Sequence, residues 1–74
     1  MKKSQQIAAI PKNRRGEEIR ISVDEFNGHD LVNLRVWFQA DDGDMRPGRQ
    51  GIAFRLELLE DVRVALDRIA ETVT

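Results

Sequence analysis

Apolar residues recur at every second position through three runs of this chain and then, from about Glu57, at every third or fourth. This change from the period of a strand to that of a helix constrains the fold more than any other feature. Ile19, Ile21 and Val23 alternate with Arg20, Ser22 and Asp24. In the next run, Leu31 to Gln39, one face carries Val32, Leu34, Val36 and Phe38, and the other carries Leu31, Asn33, Arg35, Trp37 and Gln39. Ile52, Phe54 and Leu56 alternate again. Leu58, Leu59, Val62, Ala65, Leu66, Ile69 and Val73 then form a broad apolar helical stripe, opposed by Glu60, Arg63, Asp67, Arg68 and Glu71. The pattern predicts an α+β domain, a curved antiparallel sheet of three to four strands followed by a C-terminal helix. A fourth strand would come from the lead-in around Ile7 to Ile10.

The rest of the sequence punctuates these elements. Residues 1–9 are polar or small without a sustained period, which predicts a flexible tail ahead of a single domain over 10–74. Pro11-Lys12-Asn13-Arg14-Arg15-Gly16 reads as a basic loop. Asn27-Gly28 is a strong signal for a tight hairpin turn, and Asp41-Asp42-Gly43-Asp44 closes the central run. The stretch Gly43 to Ile52 places Arg46 and Arg49 among glycines, with Pro47 fixing one backbone angle. That makes a poor core and a good anion-binding turn, because glycine allows close backbone approach and arginine presents a planar fork of donors.

A chain of 74 residues buries only about 60% of its unfolded surface and is marginal alone. It has no cysteine, and its single His29 cannot build a zinc site without carboxylate partners. Self-association is the remaining staple. The helical stripe is too wide for so small a sheet to cover, so Leu59, Val62, Leu66 and Ile69 are the expected seam of a homodimer. No apolar run approaches the roughly 20 residues that span a bilayer, and the start leads into too short an apolar run for a secretory signal. These features predict a soluble, intracellular protein, cytoplasmic, nucleoid-associated or nuclear, with no membrane partner.

Enzymatic equipment is sparse. Asp41, Asp42 and Asp44 lack the helical flanks and distal glutamate of a calcium loop, so a solvated turn is the plainer reading. His29 reads as an exposed loop residue, and Ser22 has neither a neighbouring histidine nor a nucleophile elbow. Neither a catalytic activity nor a cofactor or metal is expected.

Single-stranded nucleic acid asks for other equipment, a basic track for phosphates and flat aromatic faces for unpaired bases. The net charge of −1 conceals such a track: residues 1–23 carry six basic and two acidic side chains, and residues 46–56 carry three basic and none acidic. Lys12, Arg14, Arg15, Arg20, Arg35, Arg46 and Arg49 are candidate phosphate ligands, and Phe26, Trp37 and Phe38 candidate stacking platforms. Alternation puts Trp37 on the more open face and Phe38 toward the core, while a bulge would exchange them, so either can be the platform. Double-stranded DNA is poorly served, since the one helix is net acidic. A protein-interaction module using the acidic helix and Trp37, and a single-stranded RNA-binding protein, are the alternatives.

The ordered motifs Ile19-Arg20-Ile21-Ser22-Val23, Phe26-Asn27-Gly28, Leu34-Arg35-Val36-Trp37-Phe38 and Asp42 to Ile52, followed by the final helix, resemble the C-terminal domain of the transcriptional positive cofactor four family from about Pro11 to about Ile69. The resemblance implies a homodimer that binds single-stranded DNA without strong sequence preference, as a transcriptional coactivator or in replication and repair, with transcription or replication machinery as partners. It also implies that Phe26, Arg35, Trp37-Phe38, Arg46 and Arg49 belong to DNA-facing ridges. Gln50 stands where the family usually has lysine, and Asp24 and Glu25 make the approach to Phe26 more acidic, which implies weaker binding than is typical.

Overall fold

A computed structural model describes residues 4–73 of the protein. Strands β1 (Ser4–Pro11), β2 (Glu18–Phe26), β3 (His29–Gln39) and β4 (Met45–Arg55) lie side by side in sequence order. All neighbours pair antiparallel. A single 3-10 turn, Leu56–Leu58, leads into helix α1, Leu59–Val73. The α+β architecture is the one that the switch of period predicts.

The central hairpin follows its sequence closely. Strands β2 and β3 pair without interruption from Glu18↔Trp37 to Phe26↔His29. Asn27 and Gly28 both take positive φ, 52° and 77°, the two-residue turn whose twist matches that of the flanking strands. The pairing sets Ile19, Ile21 and Val23 opposite Val36, Leu34 and Val32, and Leu34 and Val32 in turn face Ile52 and Phe54 of β4. One face of the sheet is therefore apolar, as alternation requires.

Two expectations are corrected. The segment read as a flexible tail through residue 9 is an ordered strand from Ser4 onward, paired with β2 as far as Pro11↔Glu18; Met1 to Lys3 lie outside the described residues. The period-two signal was lost there because the register shifts between Gln6 and Ala8, leaving Ile7 as an extra residue that throws Ile7 and Ile10 out of step. The glycine-rich stretch after Gly43 is likewise mostly strand rather than turn. The turn proper is Ala40 to Asp44, closed by hydrogen bonds from Gly43 N–H to the Ala40 carbonyl (2.9 Å) and from Ala40 N–H to the Asp44 carbonyl (2.8 Å). Strand β4 then runs from Met45, broken by a bulge: Arg35 pairs with Gly51 and Trp37 with Pro47, so Gly48, Arg49 and Gln50 together oppose Val36 alone. The glycines here serve close approach. A Cβ on Gly51, whose φ is 153°, would sit 2.4 Å from the Leu34 carbonyl oxygen.

The core is thin. Val32, 4% exposed, is the one buried apolar residue among those described. Helix α1 does not lie across the apolar sheet face, and Leu66 and Ile69 remain 54% and 58% exposed. The radius of gyration of 14.1 Å exceeds the roughly 11 Å of a compact domain of this length.

Candidate nucleic-acid interface

Register divides the expected ligands between two faces and two ends of the sheet. Arg20 and Arg35 are cross-strand partners on the face opposite the apolar one, with Trp37 two residues farther along β3. Each arginine is engaged. The Arg20 guanidinium bonds Glu18 at 3.0 Å and lies over the Trp37 ring, 4.2 Å from its centroid. Arg35 Nη1 donates to the Gly48 carbonyl at 3.1 Å, bracing the β4 bulge. Trp37, the residue that alternation placed on the open face, is half-buried with a cation on its ring.

Farther along that face Asp24 accepts hydrogen bonds from the Ser4 hydroxyl, from Ser22 at 3.1 Å and from Asn33 at 3.3 Å. These bonds, that from Ser4 foremost, hold its carboxyl below the usual range against a smaller opposing effect of burial. The negative charge that the sequence places near Phe26 is thus spent in tying β1 to the sheet. Phe26 itself stands 50% exposed at the hairpin.

The apolar face ends differently. Phe38, expected from alternation to turn inward, does share the face of Val32, Leu34 and Val36, but it lies beyond their cover and is 40% exposed. Its cross-strand partner on β4 is Arg46. On the β2 side Glu18 pairs with Trp37, so Glu17 is the next residue in line with Phe38. Glu17, Val36, Phe38, Gly48, Arg49 and Gln50 line an open cleft. Arg49 and Gln50 owe their place in it to the bulge. Phe26 and Phe38 sit at opposite ends of the β2–β3 pair, separated by about 30 Å of strand.

Ion pairs grade the remaining cations. Arg46 is held by Asp42 at 2.6 Å, and the other oxygen of Asp42 accepts the Asp44 N–H at 2.9 Å, which is how that acidic turn is built. Lys12 and Arg15 both approach Glu17, at 3.4 and 3.5 Å. Arg14 and Arg49 are exposed and have no ion pair among the described residues. Glu17 is the site residue that sequence reasoning missed; no motif marks it, and only the register of β2 on β3 brings it beside Phe38. Among the described residues no group of three or more His, Asp and Glu could hold a metal ion, and no helix is long and apolar enough to cross a membrane.

Residues 13–65 match the family model described as Transcriptional Coactivator p15 (PC4). The fold is similar to that of a PC4 homologue from Burkholderia pseudomallei, with a TM-score of 0.81 and 36% identity over 90% of this chain and 89% of that one. A second crystal form of the same homologue gives 0.80 and 35% over 92% and 98%. A bacteriophage T5 homologue of the eukaryotic transcription coactivator PC4, implicated in recombination-dependent DNA replication, gives 0.74 and 27% over 93% and 78%.

Proposed function

Because this chain belongs to the transcriptional coactivator p15 (PC4) family, we propose that it binds single-stranded DNA as a homodimer, tracking the backbone rather than reading a sequence, in support of transcription or of DNA replication and repair. The observation that carries this reading is the end of β3, where an exposed aromatic ring, Phe38, has Arg46 as its cross-strand partner and Arg49 beside it in the same cleft. A flat ring accepts any base, and fork-shaped donors beside it on β4 suit the adjoining phosphates. Phe26, exposed at the far hairpin, falls by alternation on the other face, that of Asp24, and is a second platform for a strand that passes round the end of the sheet. Lys12, Arg14 and Arg15 add positive charge next to Glu17 at the first end, while Arg20 and Arg35 serve the sheet from its other face.

Dimerisation is supported by helix α1. Leu59, Val62, Leu66, Ile69 and Val73 are spaced alternately by three and four residues, the repeat of a two-helix seam, and most of that seam is exposed in the single chain. Fluorescence anisotropy with one labelled sequence as single-stranded DNA, as RNA and as duplex tests the reading. Single-stranded DNA should bind tightest and duplex weakest. Equal binding of duplex and single strand would refute it, and a clear preference for RNA would reassign the ligand.

A further inference from the structure

The cleft beside Phe38 holds one group that phosphate binding does not explain, a carboxylate. Glu17 is fixed from several directions. Its carbonyl accepts the Lys12 N–H at 2.9 Å, and its own N–H donates to Asn13 Oδ1 at 3.3 Å. Its side-chain Oε1 takes Asn13 Nδ2 at 2.6 Å, Lys12 Nζ at 3.4 Å and Arg15 Nη2 at 3.5 Å. All three donors converge on the same oxygen, so Oε2 has no hydrogen-bond partner among the described residues. The Asn13 bond, foremost among these contacts, holds the carboxyl below the usual range, so it is ionised at neutral pH. Gly48 keeps the space beside the ring open: a Cβ there would come within 3.7 Å of Phe38 Cδ1 and 3.0 Å of the Val36 carbonyl oxygen.

Building on the single-strand reading above, we propose that this cleft is a base subsite for nucleobases that carry an exocyclic amino group on the Watson–Crick edge, stacked on Phe38 with Glu17 Oε2 as the acceptor. An ionised acceptor bonds the amino group of cytosine and, by the same chemistry, those of adenine and guanine. It repels the carbonyl that thymine or uracil presents at the corresponding position. Arg49, without an ion pair in the same cleft, remains for the adjoining phosphate. The result is a bias of composition, superimposed on backbone binding that is otherwise indifferent to sequence.

Oligodeoxycytidine and oligodeoxyuridine of equal length differ in the amino or carbonyl group at the ring 4-position and in the N3 proton that only uracil carries, and their binding by anisotropy at slightly alkaline pH tests whether the amino group is the preferred donor. The cytosine strand should bind about tenfold tighter, the size of one hydrogen bond to a charged group. Glu17→Gln should bring the ratio near one, since an amide serves carbonyl and amino group alike. A ratio near one in the unaltered protein, with both strands bound, would overturn the subsite and leave the single-strand reading standing; binding of neither strand would overturn that reading as well. A cytosine preference that persists in folded Glu17→Gln would also overturn it. Should that variant not fold, a strand of cytosines dimethylated on the amino nitrogen probes the same contact: loss of the tenfold advantage supports the subsite, and retention overturns it.

Discussion

Trp37 and Phe38 are adjacent in sequence and opposite in circumstance, and the difference decides what each substitution does. Phe38 is exposed in a cleft beside arginine, so Phe38→Ala should weaken single-strand binding by about 1–3 kcal/mol. It should cost less stability than the roughly 3–5 kcal/mol of a fully buried phenylalanine. Trp37→Ala should do the reverse, because its half-buried ring packs under Arg20; its melting temperature should fall more than its affinity. Anisotropy and thermal melts of the two variants check this, and the opposite pattern would return Trp37 to the role of platform. The arginines separate in the same way. Arg49→Ala should make log affinity against log salt shallower by about 0.7 for a single strand, whereas Arg46→Ala should change it less, because a phosphate must first displace Asp42. Alternation placed both aromatics on the correct faces. It could not show where along β3 the apolar cover stops, nor that the Arg20 guanidinium lies over Trp37, since both depend on neighbouring strands.

At the scale of elements, the hairpin and the helix were legible because their signals are local: an Asn-Gly pair, and a stripe of period 3.6. Strand β1 was legible only in part, as a fourth strand around Ile7 to Ile10, and the first half of β4 only as a turn, because each contains extra residues that break the period of two, and a bulge is defined only against the partner strand. The two glycines that matter here predict different costs. Gly28→Ala meets nothing within 4 Å but must keep φ at 77°, so it should cost about 1 kcal/mol. Gly51→Ala drives a Cβ into the Leu34 carbonyl and should cost more, lowering the melting temperature by well over the roughly 4–8 °C that 1 kcal/mol gives a domain of this size. The link between β1 and Asp24 predicts a pH dependence. Asp24 is depressed in the folded protein, so its contribution to stability is present above the unfolded pKa and is lost as pH falls through the folded value. Ser4→Ala removes the largest cause of the depression. Acid unfolding followed by circular dichroism should then begin at higher pH than in the unaltered protein; an unchanged profile would mean that the Ser4 bond contributes nothing.

For the molecule as a whole, the seam of α1 is what the single chain leaves unsatisfied. A helix gains most of its stability from burying its apolar face, and here Leu59, Leu66, Ile69 and Val73 are all exposed, on a chain whose sheet has Val32 as its one buried apolar residue among those described. A partner that covers the seam supplies the missing burial, at roughly 25 cal/mol for each Å² of apolar surface removed from water. Leu66→Asp places a carboxylate in the seam and should leave the protein monomeric or unfolded at micromolar concentration, as light scattering and circular dichroism together would show. Val64 provides the control. It is also apolar and 40% exposed, but it lies on the charged side of the helix with Glu60, Asp67 and Glu71. Val64→Asp should therefore keep twice the chain mass and lose little stability, as surface substitutions usually stay within about 0.5 kcal/mol. If the chain pairs as proposed, the unaltered protein should also melt at a temperature that rises with concentration, because association stabilises by mass action. If Leu66→Asp and Val64→Asp behave alike, the seam is not the interface.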